Sequence, residues 1–211
     1  MKKVAVSIHA IDNFNFEVIE GLEGFDYIHI DIMDGKFVDN KNNNLDVIPI
    51  LREIYKSPII AHLMVINPFE YIEKIIKDID FFLFHFEIEG NKDKIIEEVR
   101  KNNKKVGFAI NPETEITKIV PYLKKIDLIL IMSVNPGSSG QKFILSIIKK
   151  VNKLSEYKRK HNFIIDVDGG INLRNAKLLK NADILTSSST ILKAEDPNKV
   201  IKILKESDEH D

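Results

Sequence analysis

The sequence predicts an α/β fold, a single-domain (β/α)8 TIM barrel spanning residues 1–211. Three observations predict it. Eight short apolar runs recur along the chain, the segments between them are charged and helix-periodic, and polar residues gather where the runs end. Strand and helix alternating on this scale imply a parallel sheet with right-handed crossovers, and eight such units close into a barrel. A doubly wound open sheet is the competing arrangement. It is disfavoured because no glycine-rich fingerprint follows the first run.

The runs begin near Val4, Tyr27, Ile59, Phe81, Val106, Leu128, Phe163 and Ile184. Between them, stripes such as Tyr71, Ile72, Ile75, Ile76 and Ile79 follow helical spacing, with Lys74, Lys77 and Asp78 facing away. Turn and helix-start signals fall at Asn67-Pro68, Asn111-Pro112, Asn135-Pro136-Gly137, Gly169-Gly170 and Asp196-Pro197. There is no composition break, low-complexity tract or repeat of sequence.

Composition excludes several classes of function. A net charge of -1 gives no electrostatic reason to bind nucleic acid or an anionic membrane. With no cysteine, disulfides, thiolate ligands and a Cys nucleophile are all absent, so any metal must take N and O ligands. MKKVAVSIHA lacks the apolar run of a signal peptide, and no stretch approaches a membrane span. A cytoplasmic protein is expected, as is a homo-oligomer.

In a barrel, chemistry sits at the C-terminal ends of the strands. The second run reads Tyr27-Ile28-His29-Ile30-Asp31-Ile32-Met33-Asp34-Gly35. Alternation puts His29, Asp31 and Met33 on one face and three isoleucines on the other. An imidazole and a carboxylate two residues apart suit one metal ion; a buried hydrogen-bonded pair is the plainer alternative. In the third run His62 and Met64 point together, although a lone strand-end His is more often a satisfied polar residue. In the seventh, Asp166 and Asp168 share a face, with Asp168 at the mouth before Gly169-Gly170 and Asp166 one layer deeper. The sixth ends at Met132, followed by Asn135-Pro136-Gly137-Ser138-Ser139-Gly140-Gln141. The eighth is followed by Ser187-Ser188-Ser189-Thr190. Both are small-residue loops whose backbone N–H groups suit an anion, or are plain turns. Apart from Met1, the methionines are Met33, Met64 and Met132, each at an inward strand end, which suggests a soft, dry pocket roof.

Taken together, these stretches resemble the ribulose-phosphate 3-epimerase family. The matches include Ser7-Ile8, His29 to Val38, His62-Leu63-Met64-Val65, His85-Phe86-Glu87, Asn111-Pro112-Glu113-Thr114, Val134-Asn135-Pro136-Gly137, Gly140 to Ile144 and Val167 to Ile171. The resemblance implies one divalent metal on His29, Asp31, His62 and Asp168, with Zn²⁺, Fe²⁺, Mn²⁺ or Co²⁺ all compatible. It implies Ser7 at the sugar, and Gly137, Ser138, Ser139, Gly140, Gly169, Gly170, Ser188 and Ser189 at the phosphate. Inverting a carbon beside a carbonyl needs two acid/base groups on opposite faces. By resemblance these are Asp31 and Asp168, acting on D-ribulose 5-phosphate through a metal-stabilised enediolate, with Met33, Met64 and Met132 excluding water.

The sequence departs from the family at Ser138, where an aromatic is usual, at Ser188, where Gly is usual, at Glu115 in place of Pro, and in the Asp39 to Asn44 loop. His9 is not a family residue and is expected at a surface or pocket edge. The rival readings are a 3-epimerase of a ketohexose phosphate such as D-allulose 6-phosphate, a phosphosugar-binding non-enzyme, and a lyase or decarboxylase. The last needs a lysine on an inward strand face, whereas Asp34-Gly35-Lys36 lies in the loop beyond it.

Overall fold

In the computed structural model, residues 1–11, 14–138 and 140–208 are described. The strands are β1 (Lys3–His9), β2 (Tyr27–Asp34), β3 (Lys41–Asn42), β4 (Ile59–Met64), β5 (Phe81–His85), β6 (Lys105–Ile110), β7 (Leu128–Met132), β8 (Ile164–Asp168) and β9 (Ile184–Ser187). All except β3 run parallel, each beside the next, and β1 pairs with both β9 and β2 to close an eight-stranded barrel. Every expected run starts within one residue of an observed strand. The short β3 is an antiparallel addition in which Met33 faces Asn42.

The two faces of each strand explain the two layers of core. Ile28, Ile30 and Ile32 of β2 pack outward with the helices, whereas Ile60, Leu83, Leu128, Leu130 and Ile184 fill the barrel below its mouth. At Gly107 a Cβ would lie 2.2 Å from the Leu128 carbonyl oxygen, so β6 and β7 approach here only because the side chain is missing.

The outer layer comprises α1 (Val47–Ile54), α2 (Ile72–Ile75), α3 (Lys92–Lys101), α4 (Ile116–Ile119), α5 (Ile147–Glu156), α6 (Ser189–Leu192) and α7 (Pro197–Lys205). Asn91 caps α3 through the Lys94 N–H, and Asp196 caps α7 through the Lys199 N–H ahead of Pro197. The stripe expected to be a longer helix around Tyr71–Ile79 is one 3-10 turn and one α turn, although all five apolar residues are buried. Between β8 and β9 the described helical structure is the 3-10 turn Ala176–Leu178. Burial of the apolar stripe, not helix length, is what covers the barrel at these places. Among the described residues no helix is long and apolar enough to cross a membrane.

The N-terminal end of the barrel carries a fourfold device. Asp26, Asp80, Asp127 and Asp183 each stand one residue before a strand, at every second barrel position. Their carboxylates accept the N–H of Val4, Ile59, Val106 and Ile165, at 3.0, 2.8, 2.9 and 2.7 Å. Each Asp N–H donates back to the carbonyl of the same residue. A cation completes each clamp: Lys3 and Lys205 at Asp26, Arg52 at Asp80, Arg100 at Asp127 and Lys158 at Asp183.

Candidate active site

Strand register brings the polar strand ends together. Asp31 lies directly opposite His62 across β2 and β4, and Met33 opposite Met64. Met132 faces Asp168, and Asp168 faces Thr186. The result is a buried cluster in which His29 Nε2 is 3.1 Å from Asp31 Oδ1, 3.3 Å from His62 Nδ1 and 3.8 Å from Asp168 Oδ2. His62 Nδ1 is 2.9 Å from Asp31 Oδ1. The Ser7 hydroxyl donates to Asp31 Oδ2 at 3.0 Å, which leaves Oδ1 for the imidazoles.

The cluster fits a cation. One atom from each of His29, Asp31, His62 and Asp168 lies within 4.8 Å of the others, so the four residues could hold a metal ion. The closest approaches, from 2.9 to 3.8 Å, bracket the edge of about 3.4 Å of a tetrahedral shell with bonds of about 2.1 Å. Two ring nitrogens converge on one carboxylate oxygen, a set of N and O donors that one cation can share.

With protein groups alone, the cluster divides sharply in protonation. Burial would lower His29, but the Asp31 carboxylate, with Asp168 and Asp166 behind it, raises the ring to about 9. Burial takes His62 down to about 4 against the pull of Asp31. Burial works upward on Asp31 too, yet His29 and His62 hold its carboxyl well below the usual range. Asp168 is pushed up to about 8, mainly by burial and further by Asp31 and Asp166, with His29 opposing. Asp166 lies fully buried beneath, accepts from the Thr186 hydroxyl at 2.8 and 3.0 Å, and is raised by burial to about 6.

Above the cluster opens a cavity of about 520 Å³, counting space continuous with solvent. Asp31, Asp168 and all three inward methionines line it, and Gly137, Ser138, Gly140, Gly169, Gly170, Ser188 and Ser189 form its other side. Among the described residues no Lys or Arg lines it, so an anion on the small-residue side would be held by neutral donors. The backbone N–H groups of Gly170, Ser188 and Ser189 meet no acceptor among the described residues.

A model of the ribulose-phosphate 3 epimerase family matches residues 3–192. The chain belongs to that family. Ribulose-phosphate 3-epimerase of Bacillus subtilis (strain 168) is 34% identical over 218 residues, covering 98% of this chain and all of that protein. The Buchnera aphidicola enzyme is 40% identical, covering 83% and 82%. As a member of the ribulose-phosphate 3-epimerase family, the chain is an isomerase. Solved structures share the fold at lower identity. KGPDC from Streptococcus mutans has a TM-score of 0.71 at 14% identity, covering 98% and 97%. 3-Hexulose-6-phosphate synthase from Salmonella typhimurium has 0.69 at 15%, covering 97% of each chain.

The structure gathers the expected residues into one place. Ser7 and the named pocket residues line the cavity, and His29 and His62 lie fully buried behind Asp31. Ser139 lies outside the described residues. His9 sits at the pocket edge, with its Nδ1 3.2 Å from the Asn42 amide nitrogen. The departing loop after β2 reaches the small-residue loop after β7: Asn40 Nδ2 donates to the Gly137 carbonyl at 2.6 Å and to Ser138 Oγ at 3.1 Å. Asp34 accepts the N–H groups of Lys36, Phe37 and Ile66 while Lys36 is exposed, so this segment is a capped turn with no inward lysine.

Sequence reasoning assigned no role to His85, Glu87 or Thr186. His85 Nε2 lies 2.9 Å from His62 Nε2, and its Nδ1 lies 3.2 Å from Glu87 Oε2. Burial would raise Glu87, but bonds from His85, Thr114 and the Asn111 N–H hold it below the ordinary value. The alternation of His85 and Glu87 two residues apart, as in His29 and Asp31, was the available signal. Thr186 could have been found from its place at the end of the eighth run.

Proposed function

We propose that this protein interconverts D-ribulose 5-phosphate and D-xylulose 5-phosphate by proton transfer at C3 between Asp31 and Asp168, with one divalent metal per chain. The observation that carries the reading is the approach of these carboxyls, from β2 and β8, to the same His29 nitrogen at the cavity floor. A substrate lying across that floor would present opposite faces of one carbon to the two acids.

Asp31, kept ionised by the imidazoles and oriented by Ser7, removes the C3 proton. Asp168 returns a proton to the other face, and the roles exchange in reverse. A cation held by His29, Asp31, His62 and Asp168 supplies Lewis acidity toward the enediolate charge; Zn²⁺, Fe²⁺, Mn²⁺ and Co²⁺ all suit this donor set. Met33, Met64 and Met132 keep water from the reacting carbon. Gly137, Ser138, Gly140, Gly169, Gly170, Ser188 and Ser189 receive the phosphate through neutral N–H and O–H donors. Self-association into a homo-oligomer belongs to the same reading.

The test is C3 inversion of D-ribulose 5-phosphate and D-allulose 6-phosphate by the purified chain, with each metal added in turn and the reaction run in D2O. Inversion of the pentulose with deuterium gained at C3 is expected. Preference for the hexulose would move the assignment to that substrate, and inversion without solvent exchange would overturn the two-acid route.

A further inference from the structure

We infer that Glu87 is a positioning residue: acting through His85, it sets the tautomer of His62 so that Nδ1 presents a lone pair to the four-residue cluster. The inference deepens the proposed metal site and rests on it.

The relay is short and directional. Glu87 Oε1 already accepts the Asn111 N–H at 2.8 Å and the Thr114 hydroxyl, and its Oε2 faces His85 Nδ1. An ionised carboxylate only accepts, so the proton of a neutral His85 belongs on Nδ1. His85 Nε2 is then an acceptor, and the His62 Nε2 that faces it at 2.9 Å must donate. His62 carries one proton, so its Nδ1, 2.9 Å from Asp31 Oδ1 and 3.3 Å from His29 Nε2, is left with a free lone pair. Two neutral rings supply two protons to three gaps, and the gap left without one then lies between His62 Nδ1 and Asp31 Oδ1, where His29 also stands and a cation can sit. Reversing the chain would move that gap to His85 and Glu87 Oε2, which has no other partner among the described residues.

The relay is anchored at its far end. Lys150 on α5 donates to the carbonyls of Asn111, Pro112 and Thr114, fixing the loop that holds Glu87. Phe37 packs on His85 with ring centroids 4.6 Å apart. His29 has no comparable support: its Nδ1 is buried without a hydrogen-bond partner among the described residues. Of the two imidazoles, His62 is the one whose metal-facing nitrogen the protein prepares.

Glu87→Gln tests this with almost no change of shape. The Asn111 N–H and Thr114 hydroxyl keep the amide oxygen on their side, so the NH2 group is turned toward His85 Nδ1. That reverses both tautomers and points a His62 N–H at the cluster. Long-range ¹H–¹⁵N spectra of the metal-free protein should show His62 protonated on Nε2 in the wild type and on Nδ1 in Glu87→Gln. Zn²⁺ affinity, measured against a chromogenic chelator, should fall about 10- to 100-fold. Thr114→Val, which removes one donor to Glu87 and leaves the carboxylate, should keep the wild-type tautomer. A wild-type His62 carrying its proton on Nδ1, or Glu87→Gln binding Zn²⁺ as tightly as wild type, overturns the inference. The wild-type spectrum decides the matter even if the variant does not fold. A wild-type protein that shows the expected tautomers yet binds no metal would instead refute the metal site.

Discussion

Asp31 and Asp168 show how one residue type does two jobs. Asp31 accepts from Ser7, has two imidazoles beside it and stays ionised, whereas Asp168, with fewer polar neighbours, is driven toward its protonated form. Asp31→Asn and Asp168→Asn should each lower kcat for C3 inversion by at least about 10²-fold, while circular dichroism keeps the wild-type signature. Retained turnover in either variant would remove that residue from the proton path. Both acids, both imidazoles and the three methionines were legible in the sequence because each stands at an inward position of an apolar run. His85 and Glu87 were not read as functional, since a His behind another His acquires meaning only once two adjacent strands are in register.

Among the elements, the clamps of Asp26, Asp80, Asp127 and Asp183 tie strand starts at the end of the barrel away from the cavity, where they serve stability. Asp26 is the clearest case. Burial would raise its pKa, but the Lys3 bond, the Val4 N–H and Lys205 together lower it. A carboxylate whose folded pKa is depressed stabilises the fold above its unfolded pKa, near 4, and loses that contribution as pH falls through the folded value. Asp26→Asn should therefore cost on the order of 1 kcal/mol at pH 7. In urea titrations the gap from wild type should narrow below about pH 4; a gap independent of pH would exclude the charge as its cause. The loops at the other end obey backbone limits. Gly170 has φ +62°, and a Cβ there would sit 2.7 Å from the Gln141 carbonyl oxygen and 2.9 Å from the Phe143 nitrogen. Gly170→Ala should raise KM for the phosphate ester more than it lowers kcat in steady-state assays, because the strain falls on the proposed phosphate side of the cavity. The fourfold Asp repeat was missed in the sequence because a single Asp before an apolar run is an ordinary turn residue. Its period emerges only when every second strand is seen to use it alike.

On the scale of the whole molecule, the proposed ligands come from β2, β4 and β8, so a bound ion would fasten parts of the barrel that are distant in sequence. Metal that binds only the folded chain stabilises it by about 2.7 kcal/mol at a hundredfold excess over Kd. For a chain of this size that is a rise in Tm on the order of 5–10 °C. Calorimetry with Zn²⁺ and then with chelator should show this shift and its reversal; an unchanged Tm would argue that the four residues hold no ion. Light scattering of the same sample tests the expected homo-oligomer.

What the sequence determined by itself was local: where strands start, which face of each turns inward, and which polar residues stand at their ends. These follow from a two-residue period and from apolar runs that must be buried. The tertiary structure decided what those residues meet. Barrel closure brings Asp168 to the His29 nitrogen that Asp31 already touches. Register places His85 behind His62, and the loops after β2 and β7 join through Asn40. Such pairings depend on distances between strands far apart in the chain, and no local pattern of residues encodes them.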